Sequence, residues 1–364
     1  MKRFFKWSGA IVLLLAIVYL AGPKQPTPRL NGTLPAATQN LAALETEINR
    51  SETMLGNVKP DNQARIVWAD STRKQKTPFS IVYLHGFGAS QAEGAPVHTH
   101  LARRYGCNLY LARLQDHGTT GDSVFVRLTP ENYLASAQRA LAIGQTLGEK
   151  VIVIGTSAGG ALSLYLAANQ PAIHALVLYS PAVELYSKSI GLVNKPWGRQ
   201  LMRTLVGSDY VDFPRRDSLQ GQYWLNRYHI QGIITLQTFL DETMNRDTFA
   251  KVKCPVYLAY YHKTEEQEDK VVSVPAMLEM FGELGTPATA KRKAAFPNTG
   301  HHVIASYIHS KDWLGVQVGT ELFLEETVHL QPVVPQNLTP GPSPAERGEK
   351  KEPLLPSQQE RGRG

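Results

Sequence analysis

Residues 155–160 read GTSAGG, a G-x-S-x-G pattern that follows directly on the apolar run VIVI and continues into ALSLYLAANQP. A serine hydroxyl attacks a carbonyl only when a base removes its proton, so the chemistry suggested is nucleophilic acyl transfer. The spacing has a mechanical reason. A strand that turns sharply into a helix holds its middle residue in a strained conformation. Small residues two positions to either side let the backbones approach, which leaves the Oγ of Ser157 clear at the carboxyl edge of a sheet. The β-branched run before the pentapeptide and the alanine-rich run after it supply the strand and the helix that this turn requires.

A base and an orienting carboxylate must then lie downstream. The stretch FPNTGHHVIASYIHS, after the strand-like AKRKAAF, offers adjacent His301 and His302 in a loop, and either ring could serve. His174 and His229 sit inside strand- or helix-like runs and are expected to pack or face solvent. The carboxylate is expected after CPVYLAYYH, where KTEEQEDKVVS contains Glu265, Glu266, Glu268 and Asp269. Asp269 is favoured because it sits two residues before the apolar pair VV, which would anchor the loop, whereas the glutamates read as a solvated charge run. The order serine, acid, histidine is that of a triad mounted on a parallel α/β sheet. Two N–H donors should face the oxyanion: Ala158, which follows the serine, and Phe87 in the HGFG segment at 85–88.

The elements that must position these groups alternate along the chain. ARIVWAD, FSIVYLHG, CNLYLARL, VIVIG, IHALVLYSP and PVYLAYYH read as strands, several too apolar to have a wet face, and helical text such as TPENYLASAQRALAIGQTLG separates them. Thr129, Pro130 and Glu131 form the start signal of that helix, which is expected to close at Gly148. The fold class is therefore α/β, with a mostly parallel central sheet flanked by helices. Residues 60–182 and 250–330 form the core. Residues 183–249 interrupt the alternation with aromatic, arginine-rich helical text and are expected to form a helical cap over one end of the sheet. Residues 23–59 read as a Pro-rich spacer followed by a stalk helix over LAALETEINRSETML, and residues 331–364 as a disordered tail.

The formal net charge of +7 is concentrated at the ends: +5 falls in residues 1–30 and +1 in residues 331–364, which leaves +1 for the body. A near-neutral body excludes a nucleic-acid partner on electrostatic grounds. Residues 1–22, MKRFFKWSGAIVLLLAIVYLAG, set a basic cluster before an apolar run, the pattern of a membrane anchor or signal segment. Tyr19, three residues before the end of the run, and Pro23 just after it disfavour cleavage. The expectation is a retained anchor with the body on the extracytoplasmic (periplasmic) side, and secretion after cleavage is the alternative. The two cysteines, Cys107 and Cys254, each open an apolar strand and read as buried free thiols; neither belongs to a CxxC, so no metal site is expected.

Five short motifs in this order resemble the α/β-hydrolase superfamily, and within it the branch of monoacylglycerol lipases and serine aminopeptidases. They are HGFG (85–88), RLQDHGTTGD (113–122), GTSAGG (155–160), DKVV (269–272) and HHVI (301–304), and they span most of residues 60–325. The resemblance favours His302 over His301, through the pattern of HHVI opening a helix, and completes the triad Ser157, Asp269, His302. It implies an esterase or lipase acting on small-molecule or lipid esters through an acyl-enzyme, an eight-stranded sheet, a mobile cap and no cofactor. Its strand order would hold Cys107 and Cys254 too far apart for a disulfide. QDHGTTG departs from the family's glycine spacing, so Asp116 and His117 are expected to brace the oxyanion loop rather than react. A serine peptidase of the same fold and a non-catalytic membrane-tethered scaffold are the alternative functions. An aspartate in place of Ser157 would be needed for haloalkane or epoxide chemistry.

Overall fold

The computed structural model describes residues 12–213 and 217–333. Besides the helical residues 12–20, the described residues form nine strands and ten α-helices, numbered in chain order, with α9 at Val274–Glu283. The central sheet contains β1 (Arg65–Val67), β2 (Thr77–Leu84), β3 (Asn108–Leu111), β4 (Gly148–Thr156), β5 (Ile173–Tyr179), β8 (Val256–Tyr260) and β9 (Lys291–Ala295), side by side in the order β1-β3-β2-β4-β5-β8-β9. All neighbours are parallel except β1, which runs antiparallel to β3. Among the described residues seven strands stand where the family resemblance implies eight; the expectation of a mostly parallel α/β sheet holds.

Side chains alternate across the sheet with period two, as strand geometry requires. Val82, Leu84, Val153, Leu176, Leu178 and Leu258 enter one core with the helices α3 (Pro130–Leu147) and α4 (Ala158–Asn169). Ile81, Tyr83, Ile152, Ile154, Val177 and Ala259 enter the other, against α2 (Val97–Arg104) and α10 (Trp313–Glu326). Each fully buried aliphatic side chain is worth about 1.5–3 kcal/mol, so covering both faces is what fixes the register of the central strands.

The helix signals near the site operate as read. Thr129 caps α3 through a reciprocal pair with Asn132, and Pro130 stands at the first turn. The backbone leaves the helix at Leu147 and enters β4 at Gly148 without a loop, and the close approach to β2 there requires glycine, since a side chain at Gly148 would strike the Ser80 backbone nitrogen at 2.4 Å. The stalk helix is α1 (Leu41–Leu55), which buries Leu44 and Ile48 in the first core and ends at Gly56 in the left-handed conformation.

Two expectations need correction. The stretch HHVI does not open a helix; α10 begins only at Trp313, behind the Asp312 cap. The intervening chain is held out of a helix by long-range bonds: Ser306 forms an isolated bridge with Pro96, Tyr307 N–H donates to Ala95 O, and the Ser306 hydroxyl donates to Ala92 O, after which residues 307–309 turn. Val303 and Ile304, both β-branched, are buried by this path. The cap is also not purely helical. Besides α5 (Gly198–Val206), α6 (Ser218–Tyr223), α7 (Gln231–Thr243) and α8 (Arg246–Lys251), it carries a small antiparallel sheet of β6 (Tyr210–Asp212) and β7 (Arg227–His229).

Cys107 is buried, Cys254 partly so, and both thiols are free. Burial pushes each up to about 12. Residues 12–20 are helical with exposed apolar side chains, and no described helix is long and apolar enough to cross a membrane. Half of the segment read as an anchor, and the tail from residue 334, lie outside the described residues.

Candidate active site

The chain runs β2 to β3 on one side of the sheet and β4 to β5 on the other, so a crevice opens between the carboxyl ends of β2 and β4. Ligands of open α/β sheets bind in such a crevice. HGFG leaves β2 there, and Ser157 leaves β4 there.

Ser157 takes φ 52° and ψ −120°, the strain anticipated for the middle of the turn. The conformation is over-determined by its surroundings. Ser157 N–H donates to Tyr179 O at 2.9 Å, while Ser157 O accepts from Gly160 N at 2.9 Å and Ala182 N at 2.9 Å. The flanking glycines are required by contact: a methyl at Gly155 would lie 2.4 Å from Ser163 Oγ, and one at Gly159 would lie 2.1 Å from Leu84 O. Ala158 is the first residue of α4, where the leading N–H groups have no partner inside the helix.

The structure brings His302 and Asp269 together. His302 Nδ1–H donates to Asp269 Oδ2 at 2.5 Å, and the other carboxylate oxygen accepts from Val271 N at 2.8 Å and Val272 N at 3.1 Å. The pair VV therefore anchors the acid by its amides as well as by burying Val272. Burial opposes ionisation of Asp269, but the charge and hydrogen bond of His302, with the two amides, hold its pKa below the usual range. Burial likewise opposes a charge on His302, yet the Asp269 carboxylate, by charge and hydrogen bond, and Glu93 by charge, raise it above the ordinary histidine value. Its Nε2 is buried with no hydrogen-bond partner among the described residues.

Ser157, His302 and Phe87 all line one cavity of about 870 Å³ between the sheet edge and the cap. Its walls include Leu185, Ile190, Phe213, Trp224 and Tyr228. His301 is in the wall too. It stacks on His309 with centroids 4.4 Å apart, and its Nδ1 accepts from Val303 N at 2.9 Å. His174 lies in β5 and His229 in β7, and neither lines this cavity. Glu265 and Glu266 are exposed, and Glu268 faces His262 at 3.3 Å.

Phe87 sits in a loop held from beneath by two histidines. His85 Nδ1–H donates to Gly86 O at 2.9 Å, and its Nε2 accepts from Leu114 N at 3.1 Å. Burial lowers His85 to about 4, which keeps it in this neutral tautomer. His117 packs edge-on against Phe87 at 5.8 Å and, tilted, against His85 at 5.0 Å, as expected of a bracing residue, whereas Asp116 accepts from the neighbouring Gln115 side chain instead. Gly88, at φ 70°, completes the turn.

Trp224 belongs to the apolar and aromatic cap text from which an acyl-binding wall could be read, but sequence reading missed two other members of the wall. His309 meets Trp224 edge to face at 4.5 Å, and nothing in its local pattern marks it. Glu93, buried beside Ser157 and His302, did carry a signal, as the one charged side chain between Lys76 and Arg103.

Comparison with known proteins agrees with this architecture. A thermostable monoacylglycerol lipase from Bacillus sp. (strain H-257) is 30% identical over 134 residues, which cover 36% of this chain and 52% of that protein. The chain thus spans about half the length of this curated relative. Among solved structures, a metagenome-derived lipolytic enzyme from the study of LipS and LipT aligns over 74% of this chain and 99% of its own, with TM-score 0.59 and 18% identity. A soluble variant of monoglyceride lipase from Saccharomyces cerevisiae, solved with a substrate analogue, aligns over 72% and 92%, with TM-score 0.53 and 14% identity. At such identities these structures speak for the fold. The profile of the alpha/beta hydrolase family matches residues 81–311, and with the sheet order, the strained serine turn and the cap described above, the chain belongs to that family.

Proposed function

We propose that the protein is a serine hydrolase that cleaves carboxylic esters through an acyl-enzyme, with Ser157 as nucleophile, His302 as base and Asp269 as the orienting acid. The observation that carries the reading is the 2.5 Å His302–Asp269 pair whose free Nε2 opens on the same cavity as the strained Ser157. The steps follow from that arrangement. Ser157 Oγ adds to the ester carbonyl as its proton passes to His302 Nε2, and the imidazolium is stabilised by Asp269. The Phe87 and Ala158 amides receive the oxyanion, each such donor being worth on the order of 3 kcal/mol of barrier. His302 then protonates the leaving alkoxide, and water, activated by the same ring, releases the acid and frees Ser157.

A lipid ester of monoacylglycerol type is the substrate class we favour. Support comes from the apolar wall of Leu185, Ile190, Phe213 and Trp224, and from the monoacylglycerol lipase named above as a relative. We also read residues 1–22 as directing the chain to a membrane, on their basic flank and apolar run. The test of the activity is labelling by a fluorophosphonate, followed by a panel of p-nitrophenyl esters and peptide amides. Labelling that vanishes in Ser157→Ala, with turnover of esters, is expected. Turnover confined to peptide amides would favour a peptidase, and absence of any Ser157-dependent label would favour a non-catalytic scaffold.

A further inference from the structure

Glu93 lies in the turn after HGFG and is 3% exposed. A carboxyl group so placed needs a partner. Its Oε2 accepts the Gly86 N–H, the hydrogen bond it makes among the described residues. Gly86 is the junction between this acid and the nucleophile: a methyl there would meet Glu93 Oε1 at 2.8 Å and Ser157 Cβ at 3.0 Å. Glu93 also lines the cavity with Ser157 and His302. Gly86 directly precedes Phe87, so a bond that fixes the Gly86 amide also fixes the peptide plane that carries the Phe87 N–H.

The surroundings limit what this carboxyl can do. Tyr83 on β2 and Tyr133 on α3 are pushed up by burial and by the charge of Glu93. His98 on α2, 4.7 Å from the Tyr83 ring, is lowered to about 4 by burial and stays neutral. His302, with Asp269 behind it, acts on Glu93 by its positive charge and draws it toward ionisation. Burial pushes Glu93 itself up to about 7, against the pull of the Gly86 amide and His302. Its charge therefore forms in the range where a histidine base changes state.

We propose that Glu93 is a positioning residue of the ester-cleaving site, tethering the oxyanion loop through the Gly86 amide and adding a second negative charge beside His302. The inference rests on the Ser157 reading above and goes beyond it by giving the site a second acid. The two roles separate by substitution. Glu93→Gln keeps an acceptor for Gly86 and loses the charge; Glu93→Ala loses both.

The experiment is a pH profile of kcat and KM on a p-nitrophenyl ester for wild type, E93Q, E93D and E93A, with fluorophosphonate labelling rates on the same preparations. Loss of the charge lowers the pKa of His302, so the acidic limb of E93Q should move to lower pH by about half a unit or more, with the plateau kcat within about threefold. E93A should lose about tenfold or more in kcat and in labelling rate, with KM nearly unchanged, as expected of a displaced oxyanion donor, and E93D should recover part of it. An unshifted limb in E93Q, or E93A with unchanged kcat, overturns the inference. If E93A does not fold, the E93Q limb decides alone. Absence of label on wild-type Ser157 would instead contradict the function reading, so the two failures are distinct.

Discussion

The rim of the sheet and the cap above it are built on different principles. At the rim, Ser157 is fixed by backbone bonds from Tyr179 and Ala182, and its flanking glycines touch backbone or buried side chains from β2 and α4. Nothing there can shift without breaking several contacts at once. On the cap, α5 leaves Leu201 exposed and Leu205 71% exposed, and Gly207 has open space around it at φ 72°. The serine turn is thus held by a tightly constrained backbone, while the cap above it carries exposed apolar side chains with room around them.

The largest effects should follow from the rim chemistry. Ser157→Ala and His302→Ala are each expected to lower kcat/KM by about ten-thousand-fold or more, and His301→Ala by less than about tenfold, measured on one ester at saturating and limiting concentration. Loss of activity in His301→Ala equal to that in His302→Ala would exchange the two roles. Next in size is stability. Gly159→Ala forces a methyl into Leu84 O and should cost more than about 3 kcal/mol or prevent folding, whereas Gly207→Ala should cost about 1 kcal/mol, by urea denaturation. Equal costs would erase the contrast between rim and cap.

The buried acid gives a pH test of the same contrast. Glu93 has a folded pKa of about 7 against an ordinary 4.5. A raised acid contributes stability that is fully present below the unfolded pKa and is lost as pH rises through the folded one. Glu93→Gln should therefore gain on wild type between pH 5 and pH 8, by on the order of 3 kcal/mol at most, seen as a widening gap in thermal midpoints. Smaller still is the cap wall: Trp224→Ala should raise KM for long-chain esters about tenfold and leave kcat within about threefold, the signature of lost uniform binding. Smallest is the effect of thiol reagents. With both cysteines pushed up to about 12, native protein should react slowly and keep its activity.

What was legible in the sequence follows the same division. The strands under the site carry periodic and β-branched text because both faces are buried, so VIVI and FSIVYL could be read as central strands. The serine turn was legible because sterics at Gly155 and Gly159 admit no side chain. Asp269 was separable from its three neighbouring glutamates by the VV that follows it. His301 and His302 were not separable from their own residues, since what distinguishes them is a bond to an acid 33 positions away. The helix expected after HHVI failed because the pairing of Ser306 with Pro96 is a tertiary interaction that overrides local pattern. The β6–β7 pair in the cap was missed because strands of three residues leave no periodicity to read.

The central claim is that Ser157 carries the acyl group. Rapid quenching of the enzyme with an excess of a p-nitrophenyl ester, followed by peptide mass spectrometry, measures it directly. The account predicts one acyl adduct on the peptide bearing Ser157, formed with a burst of p-nitrophenol and absent in Ser157→Ala. Steady ester turnover with no adduct on that peptide, or turnover retained in Ser157→Ala, would contradict it.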